Sequence, residues 1–207
     1  MPQSSSVAMD VTETGGSRVA RLITELSTPA LPVVVISLLC GTASAPAWAG
    51  LGWGTIPAVL CGVVPYAVLE VASRRGMLTD RHVTQKRQRP WAYGICLVSV
   101  AVSVVLLALL GAPPLMFWAL GTMLVGLIAA GGITVVGPKV SVHAFCWSAL
   151  CVFLALLFSP WWLLLGLALP VIAWSRLRLG HHSPVEVVLG TLLGGAVTAV
   201  AWFFQPM

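Results

Sequence analysis

The chain has 207 residues, of which 58% are hydrophobic and only 8% charged, with a formal charge of +5. Soluble domains carry about 25% charged residues, so this composition excludes an ordinary soluble fold. It predicts an all-α polytopic membrane helix bundle of six to seven transmembrane helices. The basic excess is then read as topology and ligand signal, with no nucleic-acid partner.

Residues 1–17 are polar and aperiodic, which predicts a disordered tail ahead of a single membrane-embedded domain over 18–207. Val19, Leu22, Ile23 and Leu26 share one helical face, predicting a short amphipathic helix from Ser17 to Thr28 at the interface, stopped by Pro29. Spans are expected at about Ala30–Ala49, Gly52–Ala72, Ala92–Leu110, Leu115–Val136, Val140–Phe158, Trp161–Trp174 and Pro184–Phe204. Gly111-Ala-Pro-Pro114 and Ser159-Pro160 are turn signals between them. Ala43-Ser-Ala45 and Ala47-Trp-Ala49 look like signal-peptidase sites. The long leader carries no basic residue before position 18, however, so the first span is expected to be retained. Cys40, Cys61, Cys96, Cys146 and Cys151 lie inside apolar runs with no Cys-x-x-Cys, and read as small buried hydrophobes.

Every lysine and arginine falls before span one, after two, after four or after six, which places all eleven on one face. The positive-inside rule makes that face cytoplasmic. Trp48, Trp53, Trp161, Trp162 and Trp202 gather at the uncharged side, as an interfacial aromatic belt. Arg74, Arg75, Arg87 and Arg178 are read as topology markers and anionic-lipid contacts, and Glu25 and Glu70 as partners of the basic face. Nine arginines against two lysines in an Ala/Gly/Val/Leu-rich chain suggest a bacterial cell membrane.

Three polar islands share the basic face: Asp80 to Pro90, Lys139 to His143, and Ser175 to Glu186. Together they hold all four histidines, His82, His143, His181 and His182. Ionisable groups kept at a membrane edge are functional-site candidates by default. In the third island Ser183 suits an N-cap and Pro184 a first helical turn. That puts Glu186 four residues from His182 on the same helical face. A carboxylate on one ring nitrogen fixes the tautomer and leaves the other nitrogen free to attack. A helix N-terminus offers N–H groups to an anion. Arg89 and Arg176 can fork onto phosphate oxygens, and Ser141 with the first amides of span five can add further donors. His143 stands apart as a proton donor to the leaving oxygen, a role worth about 10²–10⁴-fold. His181 is read as a solvated neighbour, and Lys139 as either an interface anchor or a phosphate ligand. Asp80 is the only aspartate after Asp10, so an aspartate-rich magnesium-diphosphate site is not expected.

Ser175-Arg176-x5-His182-x3-Glu186 resembles the third signature of the type-2 phosphatidic acid phosphatase superfamily, S-R-x5-H-x3-D. Ser141-Val142-His143 resembles the second, P-S-G-H, and Arg89-Pro90 the end of the first, K-x6-R-P. The resemblance covers the polar islands from about residue 80 to 190. It implies His182 as nucleophile, His143 as acid and Glu186 as orienting carboxylate. It also implies phosphate binding by Arg89, Arg176, Ser141 and the first-signature cation, with no cofactor and no metal. His82 occupies the position of that cation, and Lys86, Arg81 and Lys139 are the nearby alternatives. Val140 and Val142 replace the proline and glycine of the second signature, and Glu186 replaces aspartate.

The expected function is hydrolysis of a lipid phosphate or an isoprenyl mono- or diphosphate through a phosphohistidine. The rival expectations are a prenyl-diphosphate-ionising cyclase or transferase on the same site, and a non-catalytic phospholipid-binding member.

Overall fold

The computed structural model describes residues 15–206, so most of the tail expected over 1–17 lies outside the described residues. The described residues form helices joined by loops, with no strand among them: α1 Gly15–Leu26, α2 Ala30–Ser44, α3 Ala47–Pro57, a π-helical turn Ala58–Val63, α4 Val64–Arg74, α5 Arg89–Leu110, α6 Pro114–Val136, α7 Val142–Leu157, α8 Ala168–Arg178 and α9 Pro184–Trp202. Short 3₁₀ turns over Lys86–Gln88 and Pro160–Leu167 lead into α5 and α8. Among the described residues, six helices are long and apolar enough to cross a membrane, and α7 is a shorter apolar helix packed among them.

Several expected boundaries move, each for a local reason. The first span stops at Ser44 because Ala45 is extended ahead of Pro46, so Ala47-Trp-Ala49 opens the next helix. The second span is continuous from α3 to α4 through the π turn between Pro57 and Pro65, where the Val64 amide bonds back to Val59. Proline supplies no amide for an α-helical ladder, and a π turn is a common way around that gap. Arg89 and Pro90 form the first turn of α5, and Ser175 and Arg176 the last turns of α8, instead of lying in loops.

The expected amphipathic helix α1 is present, with its apolar stripe turned away from the protein: Val19, Leu22 and Leu26 are exposed, while Ala20 and Thr24 are buried. The small face packs on α8, where Thr24 Oγ1 donates to Ser175 Oγ at 3.3 Å. In a membrane chain the exposed stripe suits lipid, so the rule that apolar residues point inward inverts here.

The tightest helix pair is α7 with α9. A Cβ on Gly190 would stand 2.4 Å from the Ser141 carbonyl oxygen, and one on Gly194 would stand 2.1 Å from that of Phe145. Glycine at both positions is what lets the two backbones meet. The close-packed core sits toward the uncharged end, around Leu107, Met116, Leu120, Leu150 and Phe153. Two of the belt tryptophans belong to it: Trp53 packs against the core, and Trp202 meets Trp118 and Phe153 edge-on. Trp48 and Trp161 stand free of it, 83% and 78% exposed. All five cysteines are free, as expected of small hydrophobes.

Candidate active site

The three polar islands form one cluster, tied by their own lysines. Lys86 Nζ donates to the Gly137 carbonyl at 2.7 Å, and Lys139 Nζ to the carbonyls of Thr84 and His181 at 3.2 and 3.1 Å. Asp80 Oδ2 accepts from the Thr84 amide and hydroxyl, which closes the first loop on itself.

His182 is fixed from both sides by helix-end chemistry. Upstream, α8 ends in a paired cap: Gly180 N donates to Leu177 O and His181 N to Arg176 O, both at 3.0 Å. Gly180 takes the left-handed conformation this requires, with φ of 66°. Downstream, Ser183 and Glu186 form a capping box that starts α9. The same Glu186 Oε2 accepts from the Ser183 amide at 3.2 Å and from His182 Nδ1 at 2.8 Å. Lys139 Nζ lies 3.7 Å from that oxygen. The proton of the neutral imidazole therefore sits on Nδ1, and Nε2 carries the lone pair. Burial, then the cationic neighbours Arg89 and Arg176, push the His182 pKa down to about 2, so the ring is neutral at ordinary pH.

Arg89 covers that lone pair. Its Nη2 donates to His182 Nε2 at 3.2 Å, Nη1 to the Val140 carbonyl at 2.5 Å, and Nε to the Val83 carbonyl at 3.2 Å. Val83 has φ of 48°, a conformation that a β-branched side chain rarely adopts and that costs about 1–3 kcal/mol. The strained turn places its carbonyl on the guanidinium.

Arg176 is 1% exposed, and its Nε and Nη1 have no hydrogen-bond partner. Ser141 Oγ and His143 Nε2 are also buried without one. Leaving a buried polar group unpaired costs about 1–3 kcal/mol, and most such groups in folded proteins are satisfied. Four unsatisfied atoms on three expected site residues leave hydrogen-bonding capacity open to a polar ligand. The Thr24 backbone lies within hydrogen-bonding reach of the His143 ring. His143 is also 5.4 Å, ring to ring, from His82.

A cavity of about 210 Å³ opens here, lined at one end by Arg81, His82, Arg89, His143, Arg176 and His182. Its remaining wall is mostly apolar, from α2, the π turn, α4, α5, α6 and α7, with Val33, Cys61, Val100 and Met123 among the side chains. The chamber is thus polar where the islands meet and apolar where it runs between the spans.

The structure brings together His182, Glu186, Arg89, Arg176, His143 and His82, and sets Ser141 beside them. Lys86 is not among the cavity residues; it is exposed and committed to Gly137. His181 is not the solvated neighbour expected. It is half-buried, its Nδ1 has no partner, and it stands 6.1 Å from the His82 ring. Burial and then Arg176 push its pKa down to about 4. Glu70 pairs with Arg74 at 2.6 Å and Arg81 at 3.1 Å, and Glu25 pairs with Arg81 and His82, so both carboxylates do serve the basic face. Sequence reasoning missed that α1 delivers Thr24 and Glu25 to the site. The available signal was Glu25 itself, one of only six acidic residues.

No family model, no curated protein and no solved structure matches this chain.

Proposed function

We propose that the chain is an integral membrane phosphatase of the type-2 phosphatidic acid phosphatase kind. It releases phosphate from a lipid phosphate or isoprenyl phosphate through a phosphohistidine on His182. The observation that carries this reading is the Glu186–His182–Arg89 line, with a carboxylate on Nδ1 at 2.8 Å and a guanidinium on Nε2 at 3.2 Å. A neutral imidazole with an oriented lone pair beside two buried arginines suits attack on phosphorus.

In this mechanism the phosphate takes the place between Arg89, Arg176 and His182, and the apolar tail lies along the cavity wall. Arg89 Nη2 moves from Nε2 onto a phosphate oxygen, and the unpaired Nε and Nη1 of Arg176 take others. Nε2 attacks phosphorus as the bond to the leaving oxygen breaks, and His143 gives that oxygen a proton through Nε2. Water then attacks the phosphohistidine, returning a proton to His143 and freeing Nε2. Glu186 holds the Nδ1 proton and stabilises the ring as it becomes cationic. The basic face is proposed to be cytoplasmic, because all eleven lysines and arginines belong to it. Labelling a cysteine placed by R75C only from outside the cell would overturn that orientation.

The test is phosphate release by the purified protein from a panel of lipid and isoprenyl phosphates. Turnover lost in H182A and in H143A is expected. A rearranged or transferred hydrocarbon product would move the reaction to ionisation on the same site. Binding without turnover across the panel would make the protein a lipid-phosphate binder.

A further inference from the structure

We propose that Glu25 and His82 form a protonatable anion-binding pair. When a phosphate enters the cavity, His82 takes up a proton and Glu25 holds the resulting imidazolium against the anion. This deepens the reading above and rests on it.

His82 Nε2 lies 3.3 Å from Glu25 Oε1, and the His82 side chain is only 11% exposed on the cavity wall beside Arg89, Arg176, His143 and His182. This is a second carboxylate–imidazole pair, built by α1 and the 75–88 loop, and its histidine lines the same cavity as His182. The Glu25 carboxylate is itself held: Arg81 binds it and is gripped from the other side by Glu70 at 3.1 Å. The groups facing His82 are Glu25 from α1, Arg81 from its own loop, His143 from α7, Arg176 from α8 and His181 from the loop before α9.

That surrounding explains why a titrating cation fits where a fixed one would not. Without an anion, a permanent charge at position 82 would be buried beside Arg81 and Arg176, with Glu25 as its own direct counter-charge. Burial and then Arg176 hold the His82 pKa below its ordinary value, against the pull of Glu25. A phosphate dianion beside Arg176 cancels that repulsion, and both the anion and Glu25 then favour the imidazolium. The proton comes from bulk water along the Glu25 side, where that carboxylate is 38% exposed. The only bond made is N–H on His82. The site is thus more cationic when occupied than when empty.

The experiment measures binding of inorganic sulfate, a tetrahedral dianion that does not titrate near neutrality, to the full chain in lipid nanodiscs from about pH 6 to 8. The affinity of the wild type is expected to fall with pH more steeply than that of H82Q by about tenfold per pH unit, the signature of one linked proton. E25Q keeps an amide oxygen for Arg81, and is expected to bind sulfate about tenfold more weakly near pH 6. In the H82Q background the same change should do nothing further. Histidine side-chain NMR with added sulfate should show His82 becoming protonated. Parallel pH profiles for wild type and H82Q, or an E25Q effect that persists in H82Q, would overturn the pair. Sulfate binding to no form of the protein would overturn the anion site beneath it as well.

Discussion

Arg89 Nη2 stands 3.2 Å from His182 Nε2, the one ring nitrogen that Glu186 leaves free. The proposed nucleophile is therefore covered, before substrate arrives, by the group best suited to hold the phosphate it will attack. One guanidinium hydrogen bond must exchange from nitrogen to phosphate oxygen for chemistry to begin, and the other two contacts of Arg89 keep it in reach.

Glu186 then carries a specific prediction. In E186Q the amide can donate to Nδ1, which moves the ring proton to Nε2 and removes the lone pair. A carboxylate-to-amide change that leaves a catalytic histidine in the wrong tautomer costs up to about 10⁴-fold, so kcat should fall by as much as that factor while KM changes little. Steady-state kinetics on one phosphomonoester substrate check this, and a pure KM effect would contradict it.

Arg176 predicts a trade between stability and function. Its buried Nε and Nη1 satisfy nothing within the protein. R176M removes that cost, so thermal stability in detergent should hold or rise, by up to about 1–3 kcal/mol. Phosphate release should disappear. A destabilised R176M would show that the arginine serves the fold.

The α7–α9 contact predicts the reverse pattern. In G194A the new Cβ meets the Phe145 carbonyl oxygen at 2.1 Å, which backbone on both sides cannot easily relieve. Overpacking of this kind costs about 1–3 kcal/mol, read as a lower melting temperature. G195A is the milder comparison, since its nearest neighbour is the Ser148 hydroxyl at 3.1 Å, a side-chain atom that has to give by only a few tenths of an ångström.

Acid should destabilise the folded protein even without substrate. His181 and His182 are held at about 4 and about 2, below the ordinary value of 6.5, by burial and neighbouring arginines. The unfolded chain therefore binds more protons below pH 6.5, and stability rises with pH across that window. The melting temperature should fall as pH drops from about 6.5 toward 4, and less steeply in H181Q.

The parts legible in the sequence were those fixed over short separations. The i,i+4 spacing of His182 and Glu186, the Ser183 cap and Pro184 define a helix start almost by themselves, and the structure has each of them. Span counting placed the three islands together, and the lysine bridges between loops bear that out. What could not be read depends on rotation about a helix axis. The apolar stripe of α1 marks the face that lipid accepts, but nothing in it says that the small opposite face packs on α8. Glu25 thereby reached His82 across 57 residues, a contact no local pattern encodes. The π turn and the strained Val83 were invisible for the same reason, since each answers to its neighbours in space.

The most direct test is to trap the intermediate. The purified protein is mixed with a radiolabelled lipid phosphate, quenched in alkali to preserve phosphohistidine, and mapped by peptide. Label on His182 in the wild type, absent in H182A and enriched in a variant slowed at the hydrolysis step, is the predicted result. Turnover of the same substrate with no label on His182 under those conditions would contradict it.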